Sequence, residues 1–299
     1  HAATKRSGAE DRRHLAEVIA HFGASTELAS ITRPMVAAWH QKVGEDHKTK
    51  ANRMLAALST MIEKHVRWGN LPDEHVNPCA RVDRHPEAAR ERYLSAEEIA
   101  ALGEALDKLQ EGDVELLVDG EKTRVARCLP AQAACIRLLL MCGARLREIT
   151  NLTWAEVDLD RGVIHLAPGR SKTGKRQIPL GQAAVELIKA QPRGSSYVFA
   201  GVREGRPIDA DALRRVFNRV QLVAGITDHC RLHDLRHTAA SLGAASGLSL
   251  PVLGRVLGHT QSSTTQRYSH IGHDPAAAAA ETISALVSAA LSAKLRQRA

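Results

Sequence analysis

Several groups of side chains in this sequence have the types and spacing to do chemistry. Gly169-Arg-Ser-Lys-Thr-Gly174-Lys175 follows a phosphate-cradling loop up to its last position, where Arg176 replaces the Ser or Thr that would hold Mg²⁺. Such a loop leaves a strand and opens a helix, but Gln177-Ile-Pro-Leu180 reads as another strand, so Lys172 and Lys175 fall on a hairpin. With Arg161, Arg170 and Arg176 they leave residues 161–180 basic and free of acids, which suits phosphates or simply an exposed, solubilising turn. His229, Cys230, His233, Asp234 and His237 have the types of a zinc site, with an i, i+4 histidine pair. Arg231 and Arg236 are interleaved with them, and cations beside Zn²⁺ raise the cost of the site, so no metal is expected. The tyrosines are scarce, Tyr93, Tyr197 and Tyr268, so a tyrosine role is easily tested.

Helical periodicity dominates the elements that must position these groups. Leu15, Val18, Ile19 and Phe22 share one face, Pro34 follows Thr32 as in a helix opening, and Met54, Leu55, Leu58, Met61, Ile62 and Val66 recur at helical spacing. The helix carrying them is expected to begin near His47, where Lys48, Lys50 and Arg53 cluster as a solvated face or a phosphate contact. From Gly69 to Arg92 the periodicity stops; Pro72, Pro78 and Pro86 punctuate a run ending in Arg84, Arg90 and Arg92, which reads as a basic linker able to lie along a duplex. Ser95-Ala-Glu-Glu98 is a capping box that opens the next domain. Val114 to Val118, Asp119-Gly120 and Val125 to Leu129 predict a hairpin. A helix over Ala131–Cys142 ends at Gly143, a second carries Glu148, Ile149 and Leu152, and then strands are expected at 157–159, 163–166 and 177–180. Helical cores return around Val185 to Ile188, Leu213 to Val223, Leu232 to Leu242 and Leu250 to Leu257, and Pro275 opens an alanine-rich helix from about Ala276 to Arg298 with an apolar stripe.

A length of 299 residues suggests two domains at roughly 150 residues each. No stretch approaches the roughly 20 apolar residues of a membrane-spanning helix, which excludes that class. The net charge of +8 favours a polyanionic partner, nucleic acid ahead of acidic lipid. The five cysteines, Cys79, Cys128, Cys135, Cys142 and Cys230, lie far apart without a C-x-x-C, as buried thiols in a reducing compartment do. The sequence opens on His1 with no signal segment, which fits numbering that starts inside a longer protein or after a tag, so an N-terminal module is an open expectation.

Gly143-Ala-Arg145-Leu-Arg-Glu148, Lys172 on a β-turn, His233-Asp-Leu-Arg236-His237, Leu257-Gly258-His259 and Tyr268 follow one another as the boxes of the tyrosine recombinase, or phage integrase, family do. The chain resembles that family's catalytic domain from about Ser95 to Ser269, and its helical start resembles the family's core-site DNA-binding domain in layout. Cys142 departs from the threonine many members carry, and the 111–130 hairpin is a larger departure, a surface insertion facing DNA or another protomer.

The resemblance implies DNA strand cleavage and rejoining. A tyrosine oxygen that attacks phosphorus keeps the bond energy as a covalent 3′-phosphotyrosine, and Tyr268 is the candidate. Arg145 and Arg236 match the charge of a pentavalent transition state with paired donors that stay protonated, so neither metal nor cofactor is expected. Lys172, or Lys175 as fallback, would protonate the departing 5′ oxygen. His233 would take the tyrosine proton or bond the phosphate, His259 would donate to a non-bridging oxygen, and Glu148 would orient Arg145. Asp234 and His237 read as supporting structure, and Lys48, Lys50, Arg53, Lys175 and Arg176 as DNA contacts.

The expected architecture is mainly α with a small antiparallel β-sheet, a two-domain clamp on duplex DNA. Residues 1–70 would form a helical core-site DNA-binding domain, 71–93 a linker, 94–275 the catalytic domain and 276–299 a C-terminal helix able to dock on a neighbour. The resemblance implies a homo-tetramer on double-stranded DNA, which an accessory DNA-bending protein could join, in a bacterial cytoplasm and on the nucleoid when bound. Its expected task is site-specific integration or excision of a mobile element. The alternatives are a type IB topoisomerase-like relaxing enzyme and a catalytically silent DNA-binding regulator.

Overall fold

In a computed structural model that describes residues 8–87, 92–170, 176–258, 265 and 268, the chain divides into two compact units, His1–Arg90 and Glu91–Ala299. Lys172, Lys175, His259, Arg90 and the helix expected from Ala276 lie outside the described residues.

The first unit is helical: α1 (Gly8–Phe22), a 3₁₀ turn, and α2 (Arg33–Arg67), with Pro34 in the first turn, where its missing N–H costs nothing. The helix start expected near His47 is a kink inside α2, where His47 leaves helical geometry (φ −143°, ψ 69°). Val18, Val36, Trp39, Met54, Leu58 and Ile62 make the core. Within the stretch read as a linker, 71–93, Leu71 and Cys79 are buried in this core and Val82 packs against it. Asn52 on α2 clips the segment down, accepting the His85 N–H at 3.0 Å and donating to the His85 carbonyl at 2.9 Å. The prolines removed helical periodicity without removing burial.

The second unit opens on Arg92, whose guanidinium is spent internally on Glu98 at 2.5 Å and Asp228 at 2.8 Å rather than offered to a duplex. The Ser95–Glu98 capping box starts α3 (Ala96–Glu111) as predicted. Strands β1 (Val114–Val118) and β2 (Glu121–Val125) form an antiparallel hairpin. Asp119 and Gly120 both have positive φ (51° and 84°), the mark of a two-residue type I′ turn, so β2 starts at Glu121 and not at Val125.

Helix α4 (Pro130–Cys142) is apolar nearly all round and forms the centre of the unit, with Cys135, Ile136 and Leu138 at 0% exposure. It stops at Gly143, left-handed at φ 56°, and α5 (Leu146–Thr150) follows. Strands β3 (Val157–Asp158), β4 (Val163–Leu166) and β5 (Arg176–Pro179) form the expected antiparallel sheet in that order. Because β5 follows the basic turn as a strand, the phosphate-loop reading fails. Helices α6 (Gln182–Lys189), α7 (Ala210–Val223), α8 (Asp234–Ala245) and α9 (Leu250–Leu257) complete the described fold. Among the described residues no helix is long and apolar enough to cross a membrane.

Candidate active site

The break between α4 and α5 sets the first catalytic candidate. Gly143 turns the chain so that Arg145 caps α5, and Glu148 in the first turn of α5 reaches back to it. The Glu148 carboxylate accepts the Arg145 N–H at 2.9 Å and Arg145 Nη1 at 3.0 Å. Arg145 Nη2 donates to the Gly258 carbonyl at 3.3 Å, which ties α5 to the end of α9.

Arg236 enters from α8. It is 4% exposed, and its Nη1 donates to the Gly143 carbonyl at 2.8 Å. Burial, followed by the like charges of Arg145 and Arg176, lowers its pKa to about 10, while Glu148 and Tyr268 act the other way. Arg176, expected on the exposed turn as a DNA contact, is instead buried at 6% exposure and ion-paired with Glu148 through Nη1. Strand alternation explains the correction: Ile178 faces the core, so Arg176, two residues away on β5, must face inward as well. Three guanidiniums against one carboxylate leave a net charge of +2 at the junction.

Tyr268 is 5% exposed and packs with Ala240, Ala244, Leu253 and Leu257 of α8 and α9. Its hydroxyl lies 2.6 Å from His237 Nδ1. His233, at the N-terminus of α8 and exposed, presents its ring edge-on to His237 with 5.3 Å between centroids. Sequence reasoning gave His237 a supporting role, yet its Nδ1 lies within hydrogen-bond reach of the tyrosine oxygen. The signal available was the i, i+4 spacing from His233, which puts the two rings on one helix face.

Beyond this junction, a cavity of about 760 Å³ beside α5 and the start of α7 is lined by Arg147, Arg203, Arg206 and Arg215, with Asp209 the one acid among the described residues. Periodicity could not find these arginines because loop 201–207 brings half of them. Lys48 and Arg53 are exposed on α2, whereas Lys50 pairs with Glu17 at 2.5 Å. Cys79, Cys128, Cys135, Cys142 and Cys230 are all buried, and burial pushes the Cys142 thiol up to about 11. Among the described residues no His, Cys, Asp and Glu side chains are grouped to hold a metal; Asp234 instead accepts the Arg231 N–H at 2.8 Å.

The sequence profile of the phage integrase family matches residues 107–274. A tyrosine recombinase XerC of Corynebacterium efficiens is 30% identical over 276 residues, covering 90% of this chain and 81% of its own. A lambda integrase (75–356) dimer bound to a COC′ core site superposes with a TM-score of 0.69 at 17% identity, covering 89% of this chain and 88% of that one. A lambda integrase tetramer bound to a Holliday junction gives 0.66 at 19% identity, covering 87% and 73%. At these identities the structures speak for the fold.

Proposed function

The chain belongs to the phage integrase family and is a tyrosine recombinase, and from that premise we propose that it cleaves and rejoins duplex DNA at specific sites through a 3′-phosphotyrosine on Tyr268. The observation that carries the reading is the junction itself, with Arg145 and Arg236 held around Glu148 and Tyr268 Oη bonded to His237. Tyr268 Oη attacks the scissile phosphorus as its proton passes to His237 or His233, and the bond from phosphorus to the 5′ oxygen breaks. Lys172 protonates that oxygen and His259 donates to a non-bridging oxygen. A cationic junction matches a phosphorane that carries more negative charge than the diester, so it binds the transition state better than the ground state. The rejoining step runs the same transfers backwards with a new 5′ hydroxyl.

The duplex would be held by the exposed basic residues Lys48 and Arg53, by Lys50 and Lys175, and by the arginines of the cavity beside α5. Both units engage the duplex as a clamp, residues 276–299 dock on a neighbouring protomer, and a homo-tetramer assembles on two sites, with a DNA-bending protein able to assist. The expected setting is a bacterial cytoplasm and the substrate the ends of a mobile element. The likeness to XerC across 81% of that protein favours a second reading, recombination between chromosome copies.

The test is a nicked duplex library incubated with wild type and Tyr268→Phe without metal or ATP, followed by sequencing of the DNA covalently trapped. Wild-type adducts that disappear in the variant support the reaction, and the trapped sequences identify the substrate. Binding without an adduct on any sequence would favour a silent regulator, and relaxation of plasmids without exchange a topoisomerase-like enzyme.

A further inference from the structure

We infer that Arg176 is a positioning residue that sets Arg145 and the end of α9 for the reaction proposed above, and that it touches no DNA phosphate. The inference rests on that reaction. Glu148 is 2% exposed and its two oxygens are divided: Oε1 takes Arg145 Nη1, while Oε2 takes the Arg145 N–H and Arg176 Nη1. Without the second guanidinium the carboxylate could rotate toward Arg145 alone and turn that side chain away from its present direction.

The other edge of Arg176 lies against the end of α9. Its Nη2 is 3.5 Å from the Val256 carbonyl, and Gly258 packs so closely that a Cβ there would overlap the guanidinium at Nε. Gly258 also has φ 68°, and its carbonyl is the acceptor for Arg145 Nη2. One planar group therefore spans from Glu148 on α5 to the cap of α9, directly before His259. It is also the first residue of β5, paired with Leu166 of β4.

A lysine cannot make this span, because a single ammonium lacks the flat fork that serves two sites at once. Arg176 Nε has no hydrogen-bond partner among the described residues, an arrangement that costs stability and so fits a site kept for function.

The experiment compares wild type and Arg176→Lys on one nicked duplex, measuring affinity, its salt dependence and the single-turnover rate of adduct formation at saturating protein. The expected result is unchanged affinity and salt slope with cleavage slowed about 10–100-fold, the range for partners that orient a reacting group. Combined with Glu148→Gln, the loss should not exceed that of the worse single variant, because both act through one carboxylate. In Arg176→Gln, which removes the charge, a salt slope lower by about 1 with bound DNA cleaved at the wild-type rate is the signature of a phosphate contact and overturns the inference. If Arg176→Lys does not fold, Gly258→Ala keeps the charge but displaces the guanidinium; it should show the same selective loss, and undiminished cleavage overturns the inference. A wild type that forms no adduct removes the proposed reaction and this inference together, whereas an active wild type with an equally active Arg176→Lys removes the inference alone.

Discussion

Tyr268 Oη and His237 Nδ1 are 2.6 Å apart, within ordinary hydrogen-bond reach, although 31 residues separate them in sequence. For His237 to accept the phenol proton its Nδ1 must be the unprotonated nitrogen, with the hydrogen on Nε2. His237→Ala should slow adduct formation by about 10²–10⁴-fold, the usual worth of a positioned base, with DNA affinity retained. Single-turnover cleavage beside His233→Ala measures it. Wild-type rates in His237→Ala would reduce the contact to packing.

Arg236 should respond to anions. Its pKa of about 10 lies below the ordinary arginine value, so at neutral pH the buried charge weighs against the native state. As pH rises through about 10 the native chain sheds that proton while the unfolded chain keeps it, so this penalty declines at alkaline pH. A bound anion lifts the same penalty at neutral pH. Sulfate should therefore raise the Tm of wild type by a few degrees and that of Arg236→Met by clearly less, as scanning calorimetry would show. Equal increments would mean the anion binds elsewhere.

The first unit should lose stability in mild acid. Burial lowers the His40 pKa, a hydrogen bond from its ring to Asn52 opposes the shift, and His85 and Arg84 add to it. Its contribution is fully present above the unfolded pKa of about 6.5 and is lost as pH falls below that value, since the unfolded chain then takes up a proton the native chain resists. In a Trp154→Phe background, Trp39 and Trp68 report on this unit alone. Urea midpoints from pH 7.5 to 5 should fall in that background and fall less when His40→Leu is added.

Gly120 should matter for folding but not for catalysis. At φ 84° a β-branched side chain is strained, so Gly120→Val should cost about 1–2 kcal/mol. That corresponds to a drop of several degrees in Tm for a unit of this size. Adduct formation by the folded variant should match wild type; a selective loss of cleavage would tie the hairpin to DNA or to a partner protomer.

The order of the catalytic boxes came from the family resemblance and not from spacing. The leucine, isoleucine and valine spacing, the capping box at Ser95 and the glycine at 143 carried most of the helices and the antiparallel sheet, although the start of α2 was misplaced to His47. These are local properties: periodicity and caps depend on residues within a turn or two. The packing of residues 71–87 was not legible, because three prolines hide a segment whose burial depends on Asn52, far upstream on α2. Tertiary structure alone decided which charged groups face one another. Arg176 reads as one more cation on a basic turn until β5 pairs with β4 and turns it onto Glu148. His237 reads as scaffolding until α8 and α9 pack and bring Tyr268 to its ring. A residue's type and spacing settle what it can do; its partner and its degree of burial are set by chain segments too distant for any local pattern to register.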